Sequence, residues 1–190
     1  IRPTHEDTAE LTAQFIANAI RQKPKLVLGL ATGRTMEAVY HILVRLHKKD
    51  GLDFSLVETF NLDEYIGLPP AHPQSYRHYM REQLFKNVNI DLRNTHFPRG
   101  NAPDIDAECR RYEAAIRECG GIDLQLLGIG RSGHIGFNEP GSSIYGKTRL
   151  PSADANLPTV YLDHQAAAGG DGSQAAPYNN FTDAILAVAT

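Results

Sequence analysis

The residues best suited to chemistry lie in one glycine-rich loop. Residues 128–140 read Gly-Ile-Gly-Arg-Ser-Gly-His-Ile-Gly-Phe-Asn-Glu-Pro and follow the largely apolar run 122–127. His134 carries the side chain whose ordinary pKa lies nearest neutrality, so it can both give and take protons. Glu139, five residues later, is placed to orient or charge that imidazole. Because glycines let the backbone turn tightly and approach a ligand closely, this loop predicts an active site.

The same loop contains a pattern that also occurs in dinucleotide-binding proteins. Gly128, Gly130 and Gly133 form G-x-G-x-x-G after a predicted strand. That motif requires a helix that begins at the third glycine and directs its N-terminus at a pyrophosphate. Further glycines and a proline follow at positions 136, 140 and 141, which argues against such a helix. We therefore favour an active-site loop over a dinucleotide site, and a purely structural glycine loop is the third alternative.

The composition indicates one soluble domain. The chain has 190 residues, of which 42% are hydrophobic and 22% charged, with a formal net charge of −3; this suffices to bury one core. The negative net charge gives no positive electrostatic field that would attract nucleic acid or an anionic membrane. No segment has the length of a transmembrane helix or the pattern of a leader. Cys109 and Cys119 fit no metal-ligand spacing and are too far apart along a helix to bridge, so we expect free thiols and a cytoplasmic location.

Apolar patterns alternate between strands and helices along the chain. A continuous apolar run predicts a strand buried on both faces at 26–30. Two further strands are predicted at 56–60 and at the largely apolar run 122–127. Helical spacing predicts four amphipathic helices; their apolar positions are Leu11, Phe15, Ile16, Ala19 and Ile20, then Met36, Val39, Ile42, Leu43 and Leu46, then Tyr76, Tyr79, Met80 and Leu84, and finally Ile105, Cys109, Tyr112 and Ile116. Asp104 can cap the fourth helix. The order of elements predicts an α/β fold with a doubly wound, mainly parallel sheet and helices on both faces.

Ligands bind to such sheets at the carboxyl ends of the strands. Three loops should meet there, namely 31–35, 61–65 and the loop of His134. Thr32, Gly33 and Thr35 in the first loop supply the hydroxyls and the glycine of a phosphate cradle beside a helix N-terminus. The loop lacks the lysine of a P-loop, so it favours a sugar phosphate over a nucleoside triphosphate. Helix capping by Thr35 is a second interpretation that applies at the same time.

The second loop places two adjacent carboxylates directly after a strand. Asp63 and Glu64 are neighbours and therefore point in different directions, so we expect only one to face the cleft. A solvated turn is the alternative, but the position beside two other polar loops favours a function. Asp63, Glu139 and His134 could also be metal ligands, yet no His-x-x-x-His or helical carboxylate–histidine spacing supports a metal site.

Several motifs in register resemble one enzyme family. They are residues 28–35, 59–68, 72–76, 100–110 and 128–143, and the match runs from about Leu26 to Arg149. These segments resemble the glucosamine-6-phosphate deaminases, which have a Rossmann-like fold and belong with 6-phosphogluconolactonases and relatives of ribose-5-phosphate isomerase. The resemblance implies conversion of glucosamine 6-phosphate and water to fructose 6-phosphate and ammonia in amino-sugar catabolism, without metal or cofactor. It also implies a small-molecule sugar-phosphate partner and a homo-oligomer.

The resemblance also assigns roles to individual residues. Asp63 would take a proton from C2 of the substrate and return it to C1, which requires a positioned carboxylate. His134 would open the pyranose ring, and Glu139 would hold and charge the histidine. The matched substrate- and phosphate-binding positions are Thr32, Gly33 and Thr35. Positions that bind an acetylated sugar phosphate between subunits in allosteric members correspond to Ser142, Ser143 and Arg149.

Two loop residues depart from the family pattern. Ser132 stands where the family usually has an acidic or amide residue that orients the histidine; a hydroxyl can accept a hydrogen bond but supplies no charge. Arg34 stands where many members have glycine or serine. Apart from Arg131, it is the only cation in the predicted binding loops, so we expect Arg34 to contribute to phosphate binding.

The largest departure is the C-terminal segment. Arg149 is the last lysine or arginine of the chain, whereas the family would supply an arginine and a lysine to the phosphate from this region. We therefore expect a deaminase-like domain at 1–149 and a divergent segment of the same domain at 150–190, with one strand or helix at 181–190. A non-catalytic sugar-phosphate-binding relative and a 6-phosphogluconolactonase-like hydrolase remain alternatives to an active deaminase.

Overall fold

The computed structural model describes residues 4–130, 132–138, 140–141 and 147–148, together with the backbone of residues 184–188. Its elements in chain order are α1 His5–Gln22, β1 Val27–Leu30, α2 Arg34–Asp50, β2 Glu58–Asn61, α3 Tyr76–Gln83, β3 Thr95–His96, α4 Ile105–Glu118, β4 Leu124–Gly128 and β5 Ala184–Val188. Two short 3-10 helices, Phe85–Asn87 and Leu92–Asn94, lie between α3 and β3.

The strands form one sheet in the order β3-β2-β1-β4-β5. β1 pairs in parallel with both β2 and β4, and β3 extends the parallel part beyond β2. β5 pairs antiparallel to β4 at the other edge. The chain thus winds outward from β1 through β2 to β3, then returns to the opposite side of β1 to form β4. This confirms the predicted doubly wound, mainly parallel sheet.

Helices cover both faces of the sheet, as predicted. The larger core contains Ile16 of α1, Leu43 of α2 and Met80 of α3, packed with alternate strand residues such as Leu28. The opposite face is smaller, and there Tyr112 of α4 packs against Val27 and Phe60. The side chain of Asp104 accepts a hydrogen bond from the backbone N–H of Ala107 at 2.8 Å and so caps α4 as expected.

The buried face of α1 matches the predicted one only in part, with Ile16 and Ile20 buried as expected. Its buried apolar residues are Ala9, Ala13, Ile16, Ala17 and Ile20. Leu11 and Phe15, which belonged to the predicted apolar stripe, are 48% and 45% exposed. The alanines lie four residues apart on one face, and their small side chains allow α1 to approach the core closely. Side-chain size, which hydrophobic spacing alone does not weigh, decided which face is buried.

The strands differ from their predicted bounds at several points. β2 begins two residues later than expected, and Leu56 before it is 52% exposed. β3 was not predicted, because a strand of two residues has no measurable periodicity. Residues 184–188 form a strand, which decides between the two alternatives for that segment.

Two further properties concern the part of the chain that the structure describes. No helix there is long and apolar enough to span a membrane. Cys109 and Cys119 are both free thiols, as expected.

Candidate active site

The loops after β1, β2 and β4 meet at the carboxyl edge of the sheet. β1 lies between β2 and β4, and the winding direction reverses between β1 and β4, which is where doubly wound folds form a ligand crevice. The loop after β4 reaches the loop after β2, because a Cβ atom added to Gly136 would lie 3.3 Å from Oδ2 of Asp63. The structure therefore brings the carboxyl of Asp63 next to the loop that carries His134.

Asp63 and Glu64 have different surroundings, as expected for neighbours. The carboxylate of Glu64 accepts hydrogen bonds from the backbone N–H groups of Tyr76 at 2.9 Å and Arg77 at 3.0 Å. These are the first N–H groups of α3, which have no partner within the helix. Glu64 thus serves as an anchor for α3, and this leaves Asp63 as the carboxyl available to the crevice.

Asp63 is an acid whose ionisation is disfavoured by its environment. Burial, the larger cause, and the negative charge of Glu64 raise its pKa from 3.8 to about 7. No hydrogen bond from the described residues to the Asp63 carboxylate opposes these effects. Both causes act by destabilising the charged form. A carboxyl with this pKa can hold a proton or release it near neutral pH.

His134 is held within its loop by backbone and side-chain contacts. The backbone N–H of Gly130 donates to the carbonyl of His134 at 2.8 Å, and the N–H of Gly133 donates to the carbonyl of Gly130 at 2.9 Å. The imidazole packs so closely on Gly130 that a Cβ atom there would overlap the ring. Oγ of Ser132 lies 2.8 Å from Nδ1 of His134. Ser132 therefore contacts the ring nitrogen, although a hydroxyl brings no charge to it.

The loop between β1 and α2 is fixed by two tyrosines. The hydroxyl of Tyr79 donates to the carbonyl of Gly33 at 2.8 Å, and the hydroxyl of Tyr40 donates to the carbonyl of Ala31. Gly33, with φ 120°, precedes the first residue of α2 and provides no side-chain cap. The N-terminus of α2 therefore has no side-chain cap and presents the positive dipole end that attracts anions.

The side chains of this loop only partly match their predicted roles. Thr35 does not cap α2, because Gly33 occupies the capping position. The hydroxyl of Thr35 is instead buried, and it has no hydrogen-bond partner among the described residues. Arg34 is the first residue of α2 and its side chain is exposed. The side chain of Thr32 acts to lower the pKa of Tyr76, so the two side chains lie near each other.

Three aromatic rings, which the sequence analysis did not assign to the site, connect these loops. Tyr65, Tyr76 and Phe137 form an aromatic cluster with ring centroids 4.7 to 6.1 Å apart. The hydroxyl of Tyr76 donates to that of Tyr65 at 3.1 Å. Burial first, then the contacts with Tyr65 and the charge of Asp63, raise the pKa of Tyr76. Tyr65 and Tyr76 lie inside the motifs 59–68 and 72–76. Their position near Asp63 in the sequence could therefore have indicated that they belong to the site.

Asn61 is a second residue that the sequence analysis missed. It ends β2, is 1% exposed, and neither polar atom of its amide has a hydrogen-bond partner among the described residues. The hydroxyl of Thr59, two residues earlier, is unpaired as well. Buried polar groups are nearly always satisfied, so Asn61 and Thr59 are unusual among the described residues of β2.

Several predicted site residues lie outside the described residues. They are Glu139, Arg131, Ser142, Ser143 and Arg149. Within the described part of the chain, no group of three or more His, Cys, Asp or Glu side chains is arranged to hold a metal ion.

Comparisons with known proteins point to one family. The family model described as glucosamine-6-phosphate isomerases/6-phosphogluconolactonase matches residues 3–150. A glucosamine-6-phosphate deaminase of Geobacillus sp. (strain WCH70) is 52% identical over 146 residues, which are 77% of this chain and 58% of that protein. Glucosamine-6-phosphate deaminase 2 of Giardia intestinalis is 56% identical over 144 residues, which are 76% of this chain and 55% of that protein.

A solved structure agrees with these relatives. The structure of a monomeric glucosamine-6-phosphate deaminase has a TM-score of 0.73 and 48% sequence identity, with 75% of this chain and 59% of that chain covered. The matched part of this chain thus spans 55–59% of the length of the three relatives.

The raised pKa of Asp63 predicts how stability depends on pH. Between pH 3.8 and about 7, the folded protein keeps a proton on Asp63 that the unfolded chain has released. The free energy of unfolding therefore falls as pH rises through this window. Asp63→Asn cannot ionise, so we expect the variant to gain stability relative to the parent at pH 8 but not at pH 4, as measured by urea unfolding.

Asp53→Asn is the matched control with the opposite sign. Hydrogen bonds from the backbone of Ser55 and the side chain of Asn89 lower the pKa of Asp53, so its charged form is stabilised by folding. This variant should lose stability relative to the parent at pH 8 and regain it as pH falls below 4. The stability difference between Asp63→Asn and the parent should thus be larger at pH 8 than at pH 4. An equal difference at the two pH values would contradict the raised pKa of Asp63.

Proposed function

The chain belongs to the glucosamine-6-phosphate isomerase/6-phosphogluconolactonase family, and from this membership and the crevice geometry we propose that the full-length protein is a glucosamine-6-phosphate deaminase. It converts glucosamine 6-phosphate and water to fructose 6-phosphate and ammonia in amino-sugar catabolism. The observation that carries this proposal is the Asp63 carboxyl, whose pKa of about 7 suits a group that removes and returns a proton at neutral pH. Relatives at 52% and 56% identity that are named deaminases support it.

The proposed reaction moves one proton and exchanges one amine for water. His134 takes the proton of the anomeric hydroxyl and delivers one to the ring oxygen, which opens the pyranose. Asp63 then takes the C2 proton, leaving an enolamine, and returns it to C1 to give the ketose imine. Water adds to C2, ammonia leaves, and fructose 6-phosphate remains. The cradle at Thr32, Gly33, Arg34 and Thr35 holds the phosphate against the N-terminus of α2, and Glu139 charges the histidine.

Chemistry separates the deaminase from a 6-phosphogluconolactonase. Hydrolysis of a lactone removes no carbon-bound proton, so it gives no task to a base with the surroundings of Asp63. We therefore expect ammonia release from glucosamine 6-phosphate and no acceleration of 6-phosphogluconolactone hydrolysis. The reverse pattern would establish the lactonase, and binding of glucosamine 6-phosphate without either reaction would establish a non-catalytic relative.

The proposal extends to assembly and location. We propose that the protein is cytoplasmic, because a reducing compartment fits its two free thiols. We also propose that it is a homo-oligomer. A related deaminase is monomeric, so light scattering of the full-length protein decides the assembly state.

Asp63→Asn is the direct test of the proposed base. We expect turnover to fall by roughly two to four decades, which is the usual contribution of a general base. Binding of the sugar phosphate should persist. In the parent, the rate should rise with pH through about 7 as Asp63 loses its proton. Asp53→Asn, placed before β2, should retain full turnover in the same ammonia-release assay. Near-normal turnover of Asp63→Asn would remove Asp63 from the mechanism.

His134→Gln tests ring opening separately from proton transfer. We expect the forward reaction from the cyclic substrate to slow by about a hundredfold or more. Exchange of the C1 proton of fructose 6-phosphate with solvent, in the presence of ammonium, uses Asp63 but needs no pyranose closure and should slow much less. His41→Gln, on an exposed position of α2, serves as control. An equal loss in both assays would assign His134 a different role.

Arg34→Ala tests the cation at the phosphate cradle. A hydrogen bond from a charged group contributes about 1.5–3 kcal/mol, so we expect the Michaelis constant to rise roughly tenfold or more with little change in turnover. Arg45 lies on the same helix and pairs with Glu10 at 2.6 Å, away from the crevice. Arg45→Ala should leave the Michaelis constant unchanged. Equal constants for the parent and Arg34→Ala would show that Arg34 does not contact the phosphate.

A further inference from the structure

The loop between β3 and α4 packs directly against the loop that carries Asp63. The contact is made by the strap, which we define as residues 97–104. The backbone N–H of Gly67 donates to the carbonyl of Gly100 at 2.8 Å. A Cβ atom on Gly100 would overlap the carbonyl oxygen of Tyr65 and lie 2.9 Å from its carbonyl carbon. The backbones of the strap and the Asp63 loop therefore touch at Gly100.

Glycine is needed here for space and not for an unusual backbone conformation. The φ angle of Gly100 lies outside the left-handed region that favours glycine. Other residues can therefore adopt this φ angle without strain, but the Cβ atom of any of them would overlap main-chain atoms of Tyr65. Main-chain atoms cannot move aside as the end of a flexible side chain can, so a larger residue must displace one of the two loops.

The strap itself is firmly attached to α4. Glu108 of α4 is 5% exposed and accepts hydrogen bonds from the backbone N–H of Arg99 at 2.9 Å and from its guanidinium at 3.0 Å. Arg111 donates two further bonds to the same carboxylate, at 2.8 and 2.5 Å. These donors lower the pKa of Glu108 to about 2 against the effect of burial. A displacement is thus more easily accommodated by the Asp63 loop than by the strap.

The Asp63 loop is held from its other side by α3. Glu64 bonds to the first N–H groups of α3, and the ring of Tyr65 packs on Tyr76 with centroids 4.7 Å apart. Asp63 precedes these two residues directly. The Asp63 carboxyl interacts through its charge with Glu64, Tyr76 and Tyr112. It also lies close to Gly136 of the loop after β4.

We propose that Gly100 is a positioning residue for the reaction: its lack of a side chain lets the strap press on the backbone of Tyr65 and fix Asp63 against the loop of His134. The inference rests on the proposed function for its consequence in catalysis. Tyr65 is only two residues from the base, so a displacement of Tyr65 also moves Asp63. A displacement of about 1 Å in an active site costs about a hundredfold in rate. It also admits water to the Asp63 carboxyl.

Gly100→Ala in the full-length protein tests this inference. We expect kcat for ammonia release to fall by about ten- to a hundredfold while the Michaelis constant changes little, because the phosphate cradle is on another loop. The acid limb of the pH–rate profile should move below pH 7, since a better hydrated Asp63 ionises more easily. Asn101→Ala changes the next, exposed residue of the strap and should behave as the parent.

Two measurements without substrate keep this test independent of the proposed activity. The NMR titration of Asp63 in the free protein should shift to lower pH in Gly100→Ala, and hydrogen exchange at residues 65–67 should accelerate. Arg99→Ala, which removes one guanidinium bond to Glu108 and leaves Gly100 intact, should change both in the same direction by less. A parent protein that releases no ammonia contradicts the proposed function. An unchanged Asp63 titration in Gly100→Ala overturns the role of Gly100 whatever the activity.

Discussion

The carboxyl of Asp63 is partly withdrawn from water and receives no hydrogen bond from the described residues, and the arrangement of the crevice depends on this constraint. A carboxylate withdrawn from water is destabilised unless donors or cations surround it. The local backbone donors go to Glu64, which bonds to the first N–H groups of α3. One carboxyl is thereby engaged by the start of α3, and its neighbour is left able to exchange a proton near neutral pH.

An unpaired buried acid persists only if its surroundings do not relax around it. Such local destabilisation must be offset by the rest of the structure. Here α3 holds the Asp63 loop through Glu64, the strap holds it through Gly67 and Gly100, and the aromatic cluster connects it to the loop after β4. The rigid frame consists of ordinary helix caps, ion pairs and ring contacts, and all of it lies outside the groups that would react.

The sequence was sufficient to predict the fold and the polar loops at the strand ends, because both depend on local patterns. Buried strands, helix caps and the loops at the strand ends follow from hydrophobic runs and turn residues near one another. The aromatic cluster, the contact of Gly100 with Tyr65 and the buried face of α1 could not be predicted, since they depend on which distant segments touch. Thr35 shows the same limit locally: its type suits a helix cap, but the glycine before Arg34 takes that position.

The N-terminus of α2, which has no side-chain cap, would link folding to anion binding under the proposed function. Most helices complete their first turn with their own side chains, whereas α2 begins after Gly33 and leaves that task open. A phosphate bound there, as proposed, would act as the acceptor and would add its binding free energy to the stability of the native state. Because α2 provides Met36, Val39, Tyr40 and Leu43 to the main core, a ligand held at its first turn would stabilise the packing of the whole domain and not only its own site.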